Sequence, residues 1–252
     1  MAAIERKTPP ELARMRKAGR LVAETLRLLS DIAEPGVTTA QLDEAAADYI
    51  ADQGAEAAFK GYRGFPASIC TSLNEEIVHG IPGPRKLREG DLLKVDVGVI
   101  WEGYYGDAAA TVPVGDVGEQ ARELLQVTRE ALNAGIAELG PDVKLSEVSR
   151  AIQDTAESHG FSVVREYTGH GIGKALHEDP KVPNFVSREL LARDIELKEG
   201  MTIAVEPMVN LGAGAVEYAP DGWTVRTRDR LASAHFEHTL AVTADGVRIL
   251  TQ

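Results

Sequence analysis

Cysteine is nearly missing from this chain: one residue, Cys70, in 252. That excludes an internal disulfide framework and a thiolate-bound structural zinc, and it fits a reducing compartment. Basic residues are outnumbered, 27 Lys and Arg against 39 Asp and Glu, for a formal net charge of −12. A chain so short of clustered cations is not built mainly to grip a phosphate backbone. No apolar run reaches the roughly 18 residues of a membrane span. The polar start at Glu5, Arg6 and Lys7 has no signal-peptide pattern, so a cytoplasmic protein is expected. What remains is a globular composition, 44% apolar and 26% charged, long enough for one large domain or two small ones.

Helical text opens and reopens. Thr8-Pro9-Pro10-Glu11 reads as a capped helix start, followed at helical spacing by Met15, Ala18, Val22, Leu26 and Leu29 and stopped by Pro35-Gly36. Thr39 is expected to cap a second helix that ends at Gly54. Residues 59–84 are Gly- and Pro-rich and predict loops and short strands; Leu92 to Ile100 and Tyr105 to Val114 predict a hairpin. A third helix runs from Ala121 to Gly140-Pro141, and a fourth carries Leu145, Val148, Ile152 and Ala156 up to His159-Gly160, where His159 complements the helix end. The last ninety residues read mainly as strands: Ser162 to Tyr167, Thr202 to Val209, Trp223 to Thr227, Ala234 to Thr243 and Arg248 to Thr251.

The two halves echo each other. Val37, Leu42 and Gly54 match Val143, Val148 and Gly160, and Arg88-Glu89-Gly90 before Asp96 matches Lys198-Glu199-Gly200 before Glu206. The expectation is an α+β fold in one domain over residues 1–252, internally duplicated as roughly 12–115 and 118–252, with antiparallel strands in the middle.

Charges interrupt the strands. Leu93, Val95, Val97 and Val99 share one face, and Asp96 stands on the other, where a mid-strand charge is costly unless paired or metal-bound. A two-residue turn at Glu102-Gly103 sets Asp96 opposite Ala109 with Asp107 diagonal to it; a four-residue turn sets Asp96 opposite Asp107. Solvated acids on a wet sheet face are the plainer reading of that pair. Repetition favours metal: Glu206 is the repeat counterpart of Asp96, and the last strands supply Glu237 with His235 and His238 around it. Four converging carboxylates cannot all stay ionised without a cation. His170, between Gly169 and Gly171, adds one imidazole; the glycine spacing there does not fit a dinucleotide loop. An oxygen-rich set with one nitrogen fits two adjacent Mn²⁺, Fe²⁺, Co²⁺ or Zn²⁺ ions sharing carboxylates. His79 and His177 lie in loops and, near such ions, suit hydrogen bonding to an amide or proton transfer.

Over essentially its whole length the sequence resembles the type I methionine aminopeptidases, on Asn74-Glu75-Glu76-Ile77-Val78-His79-Gly80-Ile81-Pro82, Asp96, Asp107, Gly169-His170-Gly171-Ile172-Gly173, Glu206-Pro207-Met208-Val209 and Asp221-Gly222-Trp223-Thr224-Val225. The resemblance implies a pita-bread fold and removal of initiator methionine from nascent polypeptides, those with a small second residue. Asp96 would chelate one metal, His170 and Glu206 the other, and Asp107 and Glu237 would bridge. Glu206 would take a proton from the attacking water, His177 would stabilise the carbonyl oxygen, and His79 would contact the scissile amide nitrogen. Tyr62, Phe65, Cys70 and Trp223, with Leu176 at the wall, would hold the methionine side chain; the family often has Tyr at position 65 and a larger aromatic at 176. A monovalent cation, Na⁺ or K⁺, is implied near Asn74 and Ser233. The chain starts almost at its first helix, without the zinc-binding or basic extension of some relatives, which implies a short monomeric bacterial-type enzyme with weak ribosome contact and no membrane or nucleic-acid partner. The competing readings are a proline-specific aminopeptidase or dipeptidase of the same fold and a metal-free peptide-binding pseudo-enzyme.

Overall fold

A computed structural model describes residues 4–252. Five helices are α1 (Pro9–Ile32), α2 (Thr39–Asp52), α3 (Glu119–Glu138), α4 (Leu145–Ser158) and α5 (Arg188–Ala192). The strands are β1 (Glu56–Ala57), β2 (Ile69–Leu73), β3 (Glu76–Val78), β4 (Leu92–Trp101), β5 (Tyr104–Pro113), β6 (Ser162–Val163), β7 (Gly169–Gly171) and β8 (Glu178–Val182). They continue with β9 (Thr202–Val205), β10 (Met208–Asn210), β11 (Val216–Tyr218), β12 (Val225–Thr227), β13 (Ser233–His235), β14 (His238–Thr243) and β15 (Gly246–Ile249). No described helix is long and apolar enough to cross a membrane.

Helix α1 begins where Thr8 and Glu11 meet: the Glu11 carboxylate accepts from the Thr8 N–H at 2.8 Å and from its hydroxyl at 2.7 Å. It buries Met15, Ala18, Leu21, Val22 and Leu29, one stripe at helical spacing. The cap of α2 is Thr38, not Thr39. The Thr38 hydroxyl accepts from the Gln41 N–H at 3.2 Å, whereas Thr39 turns inward and donates to the carbonyl of Gly83. One core joins α1 and α2 to the inward face of β4, through Leu93, Val95, Val97 and Val99. A second joins α3 and α4 to β9 and β14 through Leu132, Val148, Ile152, Ile203 and Leu240.

The hairpin register settles the turn question. Asp96 pairs with Ala109, and Asp107 pairs with Gly98, so the two acids are diagonal neighbours and the four-residue turn is excluded. β4 is flanked by β5 on one side and by β1 and β2 on the other; the second large sheet runs β15-β14-β9-β7-β8, all antiparallel. The sheets meet along β5. Asp107 N–H donates to the Thr239 hydroxyl at 3.0 Å, Glu237 N–H to the Ala109 carbonyl at 2.9 Å, and the Thr111 hydroxyl to the His235 carbonyl at 2.7 Å.

One bonding pattern occurs twice. Gly36 N–H donates to Leu87 and Leu87 N–H to Val37, each at 2.8 Å; Asp142 N–H donates to Leu197 at 2.7 Å and Leu197 N–H to Val143 at 2.8 Å. The late strands are shorter than the apolar text suggests. The expected strand Thr202 to Val209 breaks at Glu206-Pro207, since proline has no N–H to give a ladder, and Ala234 to Thr243 breaks at Phe236-Glu237. Ser162 to Tyr167 keeps only two strand residues, and α5, β7, β8 and β11 were not expected.

α1 lies very close to β5 at Gly106, where an added Cβ would meet the Gly19 nitrogen at 2.7 Å and the Ala18 carbonyl carbon at 2.9 Å. Backbone cannot yield as a side chain does. Gly106→Ala is therefore expected to destabilise by about 1–3 kcal/mol, read as a fall in denaturation midpoint at unchanged slope.

Candidate metal centre

Asp96 and Asp107 stand on the hairpin, His170 on β7, Glu206 at the break after β9, and Glu237 at the break between β13 and β14. All five line one cavity of about 290 Å³. Asp107, His170 and Glu237 each offer a ligand atom within 4.8 Å of the others. His170 Nε2 is 3.5 Å from Glu206 Oε1 and 3.9 Å from Asp107 Oδ2. The other ring nitrogen of His170 is 2.8 Å from the Gly171 carbonyl oxygen, which leaves Nε2 facing the acids. Strand breaks at 206 and 236 turn the chain so that carboxylates from the second sheet reach those on β4 and β5.

The chemistry of this set fits divalent cations. Asp96 Oδ1, Asp107 Oδ1 and Glu237 Oε1 are buried and have no hydrogen-bond partner among the described residues. Buried polar atoms normally find partners, so three orphaned oxygens on acids that line one cavity mark a place for positive charge. Burial pushes Asp96 up to about 7. Burial first, then repulsion from neighbouring acids, drives Asp107, Glu206 and Glu237 well above the usual carboxylate range. Burial also pulls His170 down to about 4, so its ring is neutral and ready to ligate at neutral pH.

These shifts set the pH response of metal-stripped protein. A carboxylate whose folded pKa is raised keeps a proton that the unfolded chain has lost. Its stabilising contribution is complete below the unfolded value near 4 and fades as pH rises through the folded value. Buried His79 and His235, lowered to about 4 and about 3, work oppositely: they cost stability as pH falls below the ordinary histidine value of 6.5. Above about pH 6.5 the raised acids outnumber the one opposing group, buried Lys94, which is lowered to about 7. The melting temperature of stripped protein is expected to fall between about pH 6.5 and 8, and the fall to vanish on loading a divalent ion. A flat calorimetric profile for stripped protein would refute the strained acid cluster.

The rest of the cavity holds the other expected residues: Tyr62, Phe65, Cys70, His79, Leu176, His177 and Trp223. Phe65 and Trp223 meet edge to face with centroids 5.2 Å apart. Cys70 pairs with Asp96 across β2 and β4, and burial, reinforced by Asp96 and Asp107, raises its thiol well above the ordinary value, so it is a neutral wall. His177 stacks on Tyr62, its Nδ1 is 2.8 Å from the Tyr62 hydroxyl, and its ring lies 4.2 Å from that of His170. His79 adopts φ +61 and packs edge-on against Tyr167 at 5.4 Å.

Phe59, Arg63, Glu166, Tyr167 and Thr168 also line the cavity and were not foreseen. Tyr167 and Thr168 directly precede the Gly169-His170-Gly171 run, a proximity that could have flagged them. His235 sits beside the acids, Nε2 3.9 Å from Glu206, while His238 turns away to the Thr251 hydroxyl at 2.9 Å. Where a monovalent cation was expected, the carbonyl oxygens of Asn74 and Ser233 both accept from Lys94 Nζ.

A carboxylate-rich centre with one imidazole, at the floor of an aromatic-lined cavity between two antiparallel sheets, defines a metal-dependent hydrolase of the pita-bread architecture. Residues 13–244 match metallopeptidase family M24. The chain is 50% identical to "Methionine aminopeptidase 1" of Bacillus subtilis (strain 168) over 246 residues, 98% of each chain. The crystal structure of methionine aminopeptidase from Rickettsia prowazekii superposes with a TM-score of 0.96 at 44% identity, covering 99% of this chain and 100% of that one. A prolidase from Pyrococcus furiosus shares the fold at a TM-score of 0.78 and 22% identity; this chain covers 65% of it. The chain belongs to metallopeptidase family M24 and, within it, to the methionine aminopeptidases.

Proposed function

We propose that this protein hydrolyses the first peptide bond of polypeptides that begin with methionine, at a centre of two divalent ions. The observation that carries this is the convergence of Asp96, Asp107, His170, Glu206 and Glu237 on the floor of the aromatic cavity. In this reading Asp96 would hold one ion, His170 and Glu206 the other, and Asp107 and Glu237 would be shared between them. Bound divalent ions supply Lewis acidity and a water activated at neutral pH.

The chain's own groups do the remaining work. Glu206, its backbone held by Asn184 Nδ2 donating to the Glu206 carbonyl at 3.0 Å, takes up the proton of the attacking water on its carboxylate. Burial lowers His177 from its ordinary value, so the ring is neutral. With the Tyr62 hydroxyl donating to Nδ1, its proton sits on Nε2 and is aimed at the carbonyl oxygen that becomes negative. His79, held neutral down to about 4 by burial, contacts the amide nitrogen of the bond being cut. Tyr62, Phe65, Cys70, Leu176 and Trp223 enclose the thioether, since aromatic faces and a soft neutral wall suit sulfur.

The same reading makes the natural substrates nascent chains with a small second residue, the enzyme a cytoplasmic monomer, and its contact with ribosomes weak at a charge of −12. The recurring bonding pattern favours two duplicated halves, roughly 12–115 and 118–252.

The test strips the protein of metal and reloads it anaerobically with Mn²⁺, Fe²⁺, Co²⁺ or Zn²⁺ one at a time, scoring Met-Ala-Ala against an Xaa-Pro peptide. Release of free methionine only after reloading is expected. Preference for Xaa-Pro would reassign the substrate, and peptide binding without metal uptake or cleavage would make the protein a pseudo-enzyme.

A further inference from the structure

One buried charge takes no part in that chemistry. Lys94 lies on β4, on the face that carries Asp96, and is 2% exposed. No carboxylate among the described residues lies within ion-pair distance of it. Its ammonium donates to the main-chain carbonyl oxygens of Asn74 at 2.6 Å and Ser233 at 2.9 Å. Burial, with a smaller push from Arg85, lowers this lysine to about 7 against the pull of Glu76, Glu75 and Asp91. Lysine is rarely buried without a paired acid, so the two carbonyls need an explanation.

Their positions supply one. Asn74 turns the chain between β2 and β3 at φ +55, and its carbonyl also accepts from the Ser233 N–H at 3.0 Å. The Asn74 side chain is fixed too: Nδ2 donates to Asp91 at 2.9 Å and Oδ1 accepts from the Leu92 N–H at 2.9 Å. Ser233 opens β13, which leads through His235 to Glu237, and β3 leads to His79. Two carbonyl dipoles from distant parts of the chain thus point at one spot in the seam between the sheets. Converging carbonyl oxygens are the ligands of a hard monovalent cation, and an ammonium has the same charge and similar size.

We infer that Lys94 is a tethered monovalent cation: its ammonium fills a carbonyl-lined cation position in the seam between β3, β4 and β13, so that no free sodium or potassium ion is needed there. Truncating the side chain opens a hole with the carbonyls still aimed into it, and a small monovalent ion then takes the ammonium's place. Filling the hole with an uncharged chain of similar length leaves the dipoles facing apolar atoms.

The experiment is thermal unfolding of the metal-free full chain, as wild type, Lys94→Ala and Lys94→Met, in sodium, potassium, ammonium or choline chloride at equal ionic strength. The wild type is expected to melt at one temperature in all four salts. Lys94→Ala is expected to melt several degrees lower in choline and to recover saturably with ammonium or potassium. Lys94→Met is expected to be lowered in every salt without recovery. The inference is overturned if the wild type is stabilised saturably by sodium or potassium over choline, if Lys94→Met melts with the wild type, or if Lys94→Ala folds and ignores the identity of the cation. Should Lys94→Ala stay unfolded in all four salts, the wild-type and Lys94→Met results decide.

Discussion

Asp107→Asn is expected to lower kcat/KM for methionine release by about 10³-fold or more, several kcal/mol of transition-state stabilisation. The side chain is buried, and its Oδ1 has no protein partner among the described residues. The amide keeps the volume but removes the charge that a shared ligand must carry. Backbone position should survive, because Asp107 N–H and carbonyl both bond the Thr239 hydroxyl, at 3.0 and 2.7 Å. The variant has a second, opposite signature. Beyond burial, repulsion from Asp96 and Glu206 and a hydrogen bond to Asp96 raise Asp107, so replacing this acid by a neutral amide relieves the metal-free cluster. Stripped Asp107→Asn should melt higher than stripped wild type at about pH 8 while binding less metal by elemental analysis. Full activity in the variant would exclude the bridging role; lost activity with lowered stripped stability would mean a folding defect instead.

His177→Ala should lower kcat by about 10²–10³-fold and leave KM nearly unchanged, the mark of a group that acts on the charge formed in the transition state. Its ring is held from two sides, by the Tyr62 hydroxyl at 2.8 Å and by stacking on the same residue. Tyr62→Phe keeps the stack and loses only the hydrogen bond, so about a tenfold loss or less is expected. Steady-state kinetics on Met-Ala-Ala separates these outcomes. A His177→Ala enzyme whose defect lies wholly in KM would move the residue from stabilising the oxyanion to binding substrate.

The convergence of the site's acids was legible to an unusual degree because those residues violate local rules. A carboxylate midway along an apolar strand, as at Asp96, and an acid directly before proline in another, as at Glu206, are costly without a reason, and the reason is shared. Phe59 and Arg63 break no rule: an aromatic and a cation in a loop have many ordinary explanations, and only folding turns them toward the cavity. Helices were readable from Thr8 and Glu11 or from the stop at His159-Gly160, since caps act within one turn. Thr38 and Thr39 show the limit. Either hydroxyl can cap, and the choice fell to Thr38 because Gly83, far along the chain, gives Thr39 a better partner. Short strands such as β7 and β11 were missed because three residues have no period to read.

Local order and the ligand types were therefore written in the amino-acid text: alternation placed Asp96 and Lys94 on one face of β4, and helical spacing chose the stripes that cover the sheets. Only the docking of the sheets along β5 decided that Glu237 meets Asp107 and that the Lys94 ammonium ends on the carbonyls of Asn74 and Ser233. Periodicity reports which side a residue faces. It carries no information about which distant segment lies on that side, because that contact is set by the shapes and bonding edges of two sheets and not by any run of neighbours.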